Sequence, residues 1–152
     1  MSDRLRALFC DHLSLMRGKY LPASKIGDNE TRFCRSTFGV HFDRDLLPSP
    51  GSMMLEGLPD MELRWRAADI RDSWHAGTKI VLGDLYDTSG VPLELCPRGA
   101  LKRAIAAWEV RGLTPKIGIE LEAFAFQREA DGTLVPYDAP GAVVYGTGPT
   151  TD

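Results

Sequence analysis

The stretch Lys79–Gly112, KIVLGDLYDTSGVPLELCPRGALKRAIAAWEVRG, changes its period half-way along. Ile80, Val81 and Leu82 form a short apolar, β-branched run of the kind that starts a buried strand. Asp87-Thr88-Ser89-Gly90 is a turn, because Asp bonds its own backbone two residues on and Gly accepts a positive φ. Val91 to Leu95 then returns, with Pro92 restricted to an edge or a strand start because it has no N–H to donate. From Pro97 the spacing becomes helical. Proline suits a first helical turn, and Leu101, Ile105 and Trp108 give a one-sided stripe that predicts a buried face. Arg98, Lys102 and Arg103 are expected to face water, and Gly112 to stop the helix.

Downstream, Lys116-Ile117-Gly118-Ile119-Glu120-Leu121-Glu122-Ala123-Phe124-Ala125-Phe126 reads as a strand that a turn at Asp131-Gly132 returns toward Thr133-Leu134-Val135. Upstream, Leu5 to Leu13 suits an opening strand and Arg17 to Leu21 its return, ending at Pro22, with Gly18 supplying backbone freedom and Lys19 at the surface. Another strand is expected around Thr31 to Cys34. Ser36 to Asp43 is ambiguous, and Asp45 to Asp60, broken by Pro48, Pro50 and Gly51, reads as a long loop or flap. Strands, a long loop, a hairpin, one helix and another hairpin make an α+β order. A regular βαβα succession is missing, which argues against a doubly wound sheet.

Composition narrows the class. The 152 residues are 43% hydrophobic and 26% charged with a net charge of −3, as in an ordinary soluble globular chain long enough to bury a substantial core. Lys and Arg are scattered and form no basic run interleaved with aromatics, so no nucleic-acid partner is expected. No long apolar segment follows Met1-Ser2-Asp3-Arg4-Leu5-Arg6, so neither a signal peptide nor a membrane span is read. Cys10, Cys34 and Cys96 are odd in number and too widely spaced for a local zinc site; a reducing, cytoplasmic setting fits them best.

Glu120 and Glu122 carry the chemistry. In a strand, residues two apart share a face, so both carboxylates project together from an apolar element and can share hard cations, which prefer oxygen ligands. The same spacing also describes a half-exposed strand with a wet acidic face.

Taken in order, Phe9-Cys10-Asp11, Arg17-Gly18-Lys19-Tyr20-Leu21-Pro22, Asp84-Leu85-Tyr86-Asp87, Gly90-Val91-Pro92-Leu93, Cys96-Pro97-Arg98 and Gly118-Ile119-Glu120-Leu121-Glu122 resemble the opening portion of a glutamine synthetase-family enzyme, most of all the γ-glutamylpolyamine synthetase type. The resemblance runs over nearly the whole chain. It implies a β-grasp N-terminal domain over residues 1–95 and, over 96–152, the first helix and strands of a catalytic domain. Family members are much longer, so it also implies a fragment or a shortened relative. The family's reaction joins glutamate to ammonia or an amine. ATP phosphorylates the γ-carboxylate to γ-glutamyl phosphate, and the amine then displaces phosphate. Mg²⁺ or Mn²⁺ stabilises charge on the transferring oxygens. By the resemblance Glu120 and Glu122 are metal ligands serving different ions. The other ligands, the glutamate-binding arginines and most ATP contacts lie farther along a full-length member, so this chain alone is expected not to catalyse.

The resemblance further implies homo-oligomers in which the loop around His41 reaches a neighbouring subunit and lies near the amine. His41 stands where an Asp is common, with Asp43 and Asp45 close by; it reads either as a base or as a partly exposed loop histidine. His12 and His75 carry no comparable argument. Asp84 and Asp87 are read as structural, Asp87 through its turn. Trp65, Trp74 and Trp108 are read as core or subunit-contact anchors, with Trp108 in the core. The run Val143 to Pro149 outlines a strand and a phosphate loop, but it lacks a third glycine and a following helix, and a loose end is expected there. The alternative function is a non-catalytic β-grasp module that binds partners or assembles with a full-length synthetase.

Overall fold

The computed structural model describes residues 4–137, so the run from Val143 to Pro149 lies outside the described residues. Two compact units divide between Pro115 and Lys116. The elements are α+β, as the order of patterns predicts.

In the first unit, β1 (Arg4–Cys10) and β2 (Met16–Pro22) form the expected hairpin, in register from Arg4 against Pro22 to Cys10 against Met16. Gly18 is required there. A Cβ at that position would lie 2.3 Å from the Ala7 carbonyl oxygen and 2.4 Å from Leu8 Cδ2. β1 also pairs in parallel with β6 (Thr78–Leu82), and β6 pairs with the two-residue β5 (Arg71–Asp72), giving a sheet ordered β2-β1-β6-β5.

A second, antiparallel sheet is ordered β3-β4-β7, from β3 (Glu30–Cys34), β4 (Asp60–Arg64) and β7 (Asp84–Asp87). β4 has no counterpart among the elements expected from sequence. Leu5, Ala7 and Phe9 alternate along β1, Met61 and Leu63 along β4, and these side chains join Phe38, Trp65, Val81, Leu85, Leu93 and Cys96 in one core cluster. Trp65 anchors the core as expected.

The expected strand at Ile80 is in fact two. Gly83 separates β6 from β7 and hands the chain from one sheet to the other, its amide donating to the Leu8 carbonyl at 3.0 Å. A Cβ here would lie 2.7 Å from both the Arg64 carbonyl oxygen and Leu63 Cδ1. The turn at Asp87 forms, but the return is a single bridge, Tyr86 to Pro92, flanked by Asp87 N–H to the Val91 carbonyl and Leu93 N–H to the Leu85 carbonyl. The proline's missing donor keeps the ladder short.

The helix α1 (Pro97–Glu109) begins and ends where the sequence predicts. Cys96 caps it, its sulfur accepting from the Gly99 amide, and Gly112 leaves it at φ +74°. Its stripe is a correction. Leu101 and Trp108 are each 52% exposed and no residue of the helix is buried, because nothing in its own unit covers that face. Trp74 is exposed too, and Arg6 stacks on its ring.

The 45–60 segment is a loop, as expected, but a tethered one. Arg35 Nε donates to the Gly51 carbonyl, Ser49 Oγ to the Phe38 carbonyl, and the Leu47 amide to the Gly39 carbonyl. Among the described residues no helix is long and apolar enough to cross a membrane.

In the second unit, β8 (Phe126–Arg128) and β9 (Leu134–Pro136) pair across the Asp131-Gly132 turn, where Asp131 accepts from the Thr133 amide at 2.8 Å. The expected strand over 116–126 is corrected: residues 113–125 have no regular structure, and only Phe126 enters a ladder. A strand is held by its neighbours, and between Lys116 and Phe124 this segment makes no described backbone bond; only Ala125, next to β8, accepts from the Tyr137 amide.

Candidate functional site

Glu120 and Glu122 are exposed members of that irregular segment. Their oxygens are the right donors for a hard cation, but among the described residues no three His, Cys, Asp or Glu side chains gather into a metal-sized group. The structure therefore does not bring further ligands to the pair.

His41 sits at a tight, exposed bend. Its amide donates to the Asp45 carbonyl at 2.8 Å, the Arg44 amide donates back to the His41 carbonyl, and Val40 bridges Leu46. Asp43 and Asp45 are close, as the sequence suggests. The His41 Nδ1 lies 3.1 Å from Asp43 Oδ1, and Phe42 packs on the imidazole with ring centroids 4.1 Å apart. The Asp45 amide first of all, opposed by desolvation and helped by the His41 ring, holds the Asp43 carboxyl below its ordinary range. Asp43 thus stays charged and orients the ring.

Sequence reasoning passes over a third feature, a cavity of about 460 Å³ beside the Gly83 crossing. Cations converge on it from separate elements: Arg64 ends β4, Arg66 follows it, and Arg98 and Lys102 stand one turn apart on α1. Arg98 and Lys102 were expected to face water. Lys102 is exposed as expected and Arg98 is half-buried, but both also bind Asp84, Arg98 Nε at 3.0 Å and Lys102 Nζ at 2.5 Å. Arg66 grips Asp69 with two bonds of 2.7 and 2.8 Å, which holds that carboxyl below its ordinary range.

Arg64 lies 4.7 Å above the Tyr86 ring and pairs with Glu62, which is shared with Arg32. The Arg64 hydrogen bond, outweighing desolvation, holds the Glu62 carboxyl below its ordinary range. Two buried donors in the wall, Arg64 Nε and Trp65 Nε1, have no acceptor among the described residues. The one sequence-level signal is the Arg-Trp-Arg run at 64–66, which puts two cations two residues apart on one side of the chain.

No family model matches the chain. Its sequence is 30% identical over 127 residues to type-1 glutamine synthetase 2 of Dictyostelium discoideum, covering 79% of this chain and 24% of that protein. It is 33% identical over 132 residues to a Methanosarcina mazei glutamine synthetase, covering 84% and 28%. With the γ-glutamylputrescine synthetase PuuA of Escherichia coli it shares 29% over 142 residues, covering 88% and 30%. A solved glutamine synthase homologue superposes with a TM-score of 0.60 at 16% identity over 73% of this chain, which speaks for the fold alone. The chain thus spans less than a third of the length of these relatives. Over most of its own length it belongs to the glutamine synthetase family.

Proposed function

We propose that this chain is the N-terminal part of an ATP-dependent ligase that joins glutamate to ammonia or an amine, with a β-grasp domain over 1–95 and the opening of the catalytic domain over 96–152. The observation that carries the reading is the match to a γ-glutamylputrescine synthetase over 88% of the chain, a stretch long enough to include both Glu120 and Glu122. The parallel pairing of β1 with β6, after an opening hairpin, supports the β-grasp.

In this reading Glu120 and Glu122 each contribute carboxylate oxygens to Mg²⁺ or Mn²⁺, and the bound ions neutralise charge on the transferring phosphoryl oxygens. Two carboxylates alone leave a hard cation mostly hydrated, so the isolated chain is inactive. His41, with Nδ1 held by Asp43, presents Nε2 as the proton acceptor for the amine of a neighbouring subunit's site.

The test is a chimera in which residues 1–152 replace the matching part of the Escherichia coli relative. Once native-size assembly is shown by light scattering, glutamate-dependent ADP release is measured. Activity in the parent chimera, and its loss by about two or more orders of magnitude in Glu120→Gln and Glu122→Gln, is expected from removing charge at nearly constant volume. An assembled but inactive parent chimera sinks the ligase reading; unchanged variants at limiting Mg²⁺ sink the metal roles. His41→Ala should slow amide formation more than acyl-phosphate formation, and mixing it with Glu120→Gln subunits should restore part of the activity. If mixed, intact oligomers restore nothing, the histidine is structural.

A further inference from the structure

We infer that the cavity beside Gly83 binds a compact dianion, an inorganic phosphate or a phosphomonoester whose small apolar body fills the remaining space. Its lining holds four cations, Arg64, Arg66, Arg98 and Lys102, against two carboxylates, Asp69 and Asp84. Both carboxylates are already occupied. Asp84 accepts from two cations and Asp69 from two nitrogens of one guanidinium, so both negative charges of the lining are already paired.

Donors are in surplus. Arg98 engages Asp84 through Nε, so its terminal nitrogens make no described hydrogen bond, and the ammonium of Lys102 makes only one. Trp65 is 7% exposed and its indole N–H has no acceptor among the described residues; buried donors are almost always paired, so this wall is short of an acceptor. Guanidinium groups match phosphate oxygens two at a time, and three of them line this cavity, Arg64 at the end of the core strand β4, Arg66 just after it and Arg98 in the first turn of α1. At about 460 Å³ the space exceeds what a bare phosphate fills, and Trp65, Leu82 and Tyr86 give it an apolar side.

The experiment uses the whole chain. Of its three tryptophans only Trp65 lines the cavity, so the indole N–H signals in a ¹H–¹⁵N spectrum carry an internal control in Trp74 and Trp108. Inorganic phosphate and phenyl phosphate are titrated separately at constant ionic strength. Expected is a saturable shift of the Trp65 signal, identified by its disappearance in Trp65→Phe, with the other two signals still. Tighter binding of phenyl phosphate supports the monoester, and equal binding assigns the site to the free anion and removes the apolar body from the proposal.

In an Arg66→Gln/Lys102→Gln variant both dissociation constants should rise by about tenfold or more, since two charge-assisted contacts are gone. Both side chains are largely exposed, so the fold should persist. If the pair does unfold the chain, Arg66→Gln alone should weaken binding by about threefold or more. No saturable Trp65 shift, or affinities untouched by the substitutions, overturns the site.

Discussion

Asp11 shows how much of a turn one carboxylate can hold. It is fully buried at the end of β1, where one oxygen accepts from the amides of Leu13 and Leu15 at 2.9 Å and the other from Arg17 Nε at 2.6 Å. Desolvation alone would raise its pKa, but the Arg17 bond and the two amides outweigh it and hold the carboxyl below its ordinary 3.8. The sign follows. A folded pKa below the unfolded one adds stability that is complete above about pH 4 and disappears as pH falls through the folded value. Asp11→Asn should therefore cost about 1–3 kcal/mol at neutral pH, and the gap from the parent should close below pH 4 in melts read by circular dichroism. A gap that stays constant into acid would remove charge from the account. The turns at Asp87 and Asp131 were legible because Asp-x-Ser-Gly and Asp-Gly carry their own backbone acceptor and a glycine. Asp11 was not, since its partner Arg17 is brought to it only by the hairpin register.

Among the elements, alternation and punctuation made β1, β2, β3, the α1 boundaries and the β8–β9 turn readable in sequence. They also passed over β4, although Met61 and Leu63 alternate there with Glu62 and Arg64, because the run is only five residues long and directly follows the Pro- and Gly-broken loop; its buried Glu62 is neutralised by Arg32 and Arg64. Nor did they reveal the break at Gly83, because a single glycine between Ile80–Leu82 and Asp84–Asp87 carries no local sign that the two halves join different sheets. The cationic cavity stayed invisible for the same reason: Arg64 and Arg98 lie far apart in sequence and meet only through the crossing. Gly83 itself is testable. With backbone 2.7 Å from its missing Cβ, Gly83→Ala must move Arg64 or the crossing, at a cost of about 1–3 kcal/mol in denaturant midpoints. Gly27→Ala, with nothing within 4 Å, is the control expected to be nearly neutral. Equal midpoints for the two would mean that the crossing relaxes freely.

At the scale of the whole molecule, the apolar residues that patterning assigned to a buried strand and a buried helix face lie open. Ile117, Ile119, Leu121 and Phe124 are 71–92% exposed, and Leu101 and Trp108 are half exposed on α1. Covering each large apolar side chain is worth about 1.5–3 kcal/mol, so the segment around Glu120 and Glu122 alone offers several kcal/mol to whatever packs on it. Association between free molecules costs about 4–15 kcal/mol in lost rigid-body freedom and side-chain ordering. These magnitudes nearly cancel. The purified chain should therefore bind a hydrophobic dye and associate weakly and reversibly, with a sedimentation coefficient that rises with concentration. Leu121→Lys with Phe124→Lys should suppress both effects while the melting temperature of the first unit, whose core contains neither residue, stays unchanged. A chain that remains monomeric and dye-silent at high concentration would show that these side chains find cover within the molecule itself and would overturn the open apolar segment.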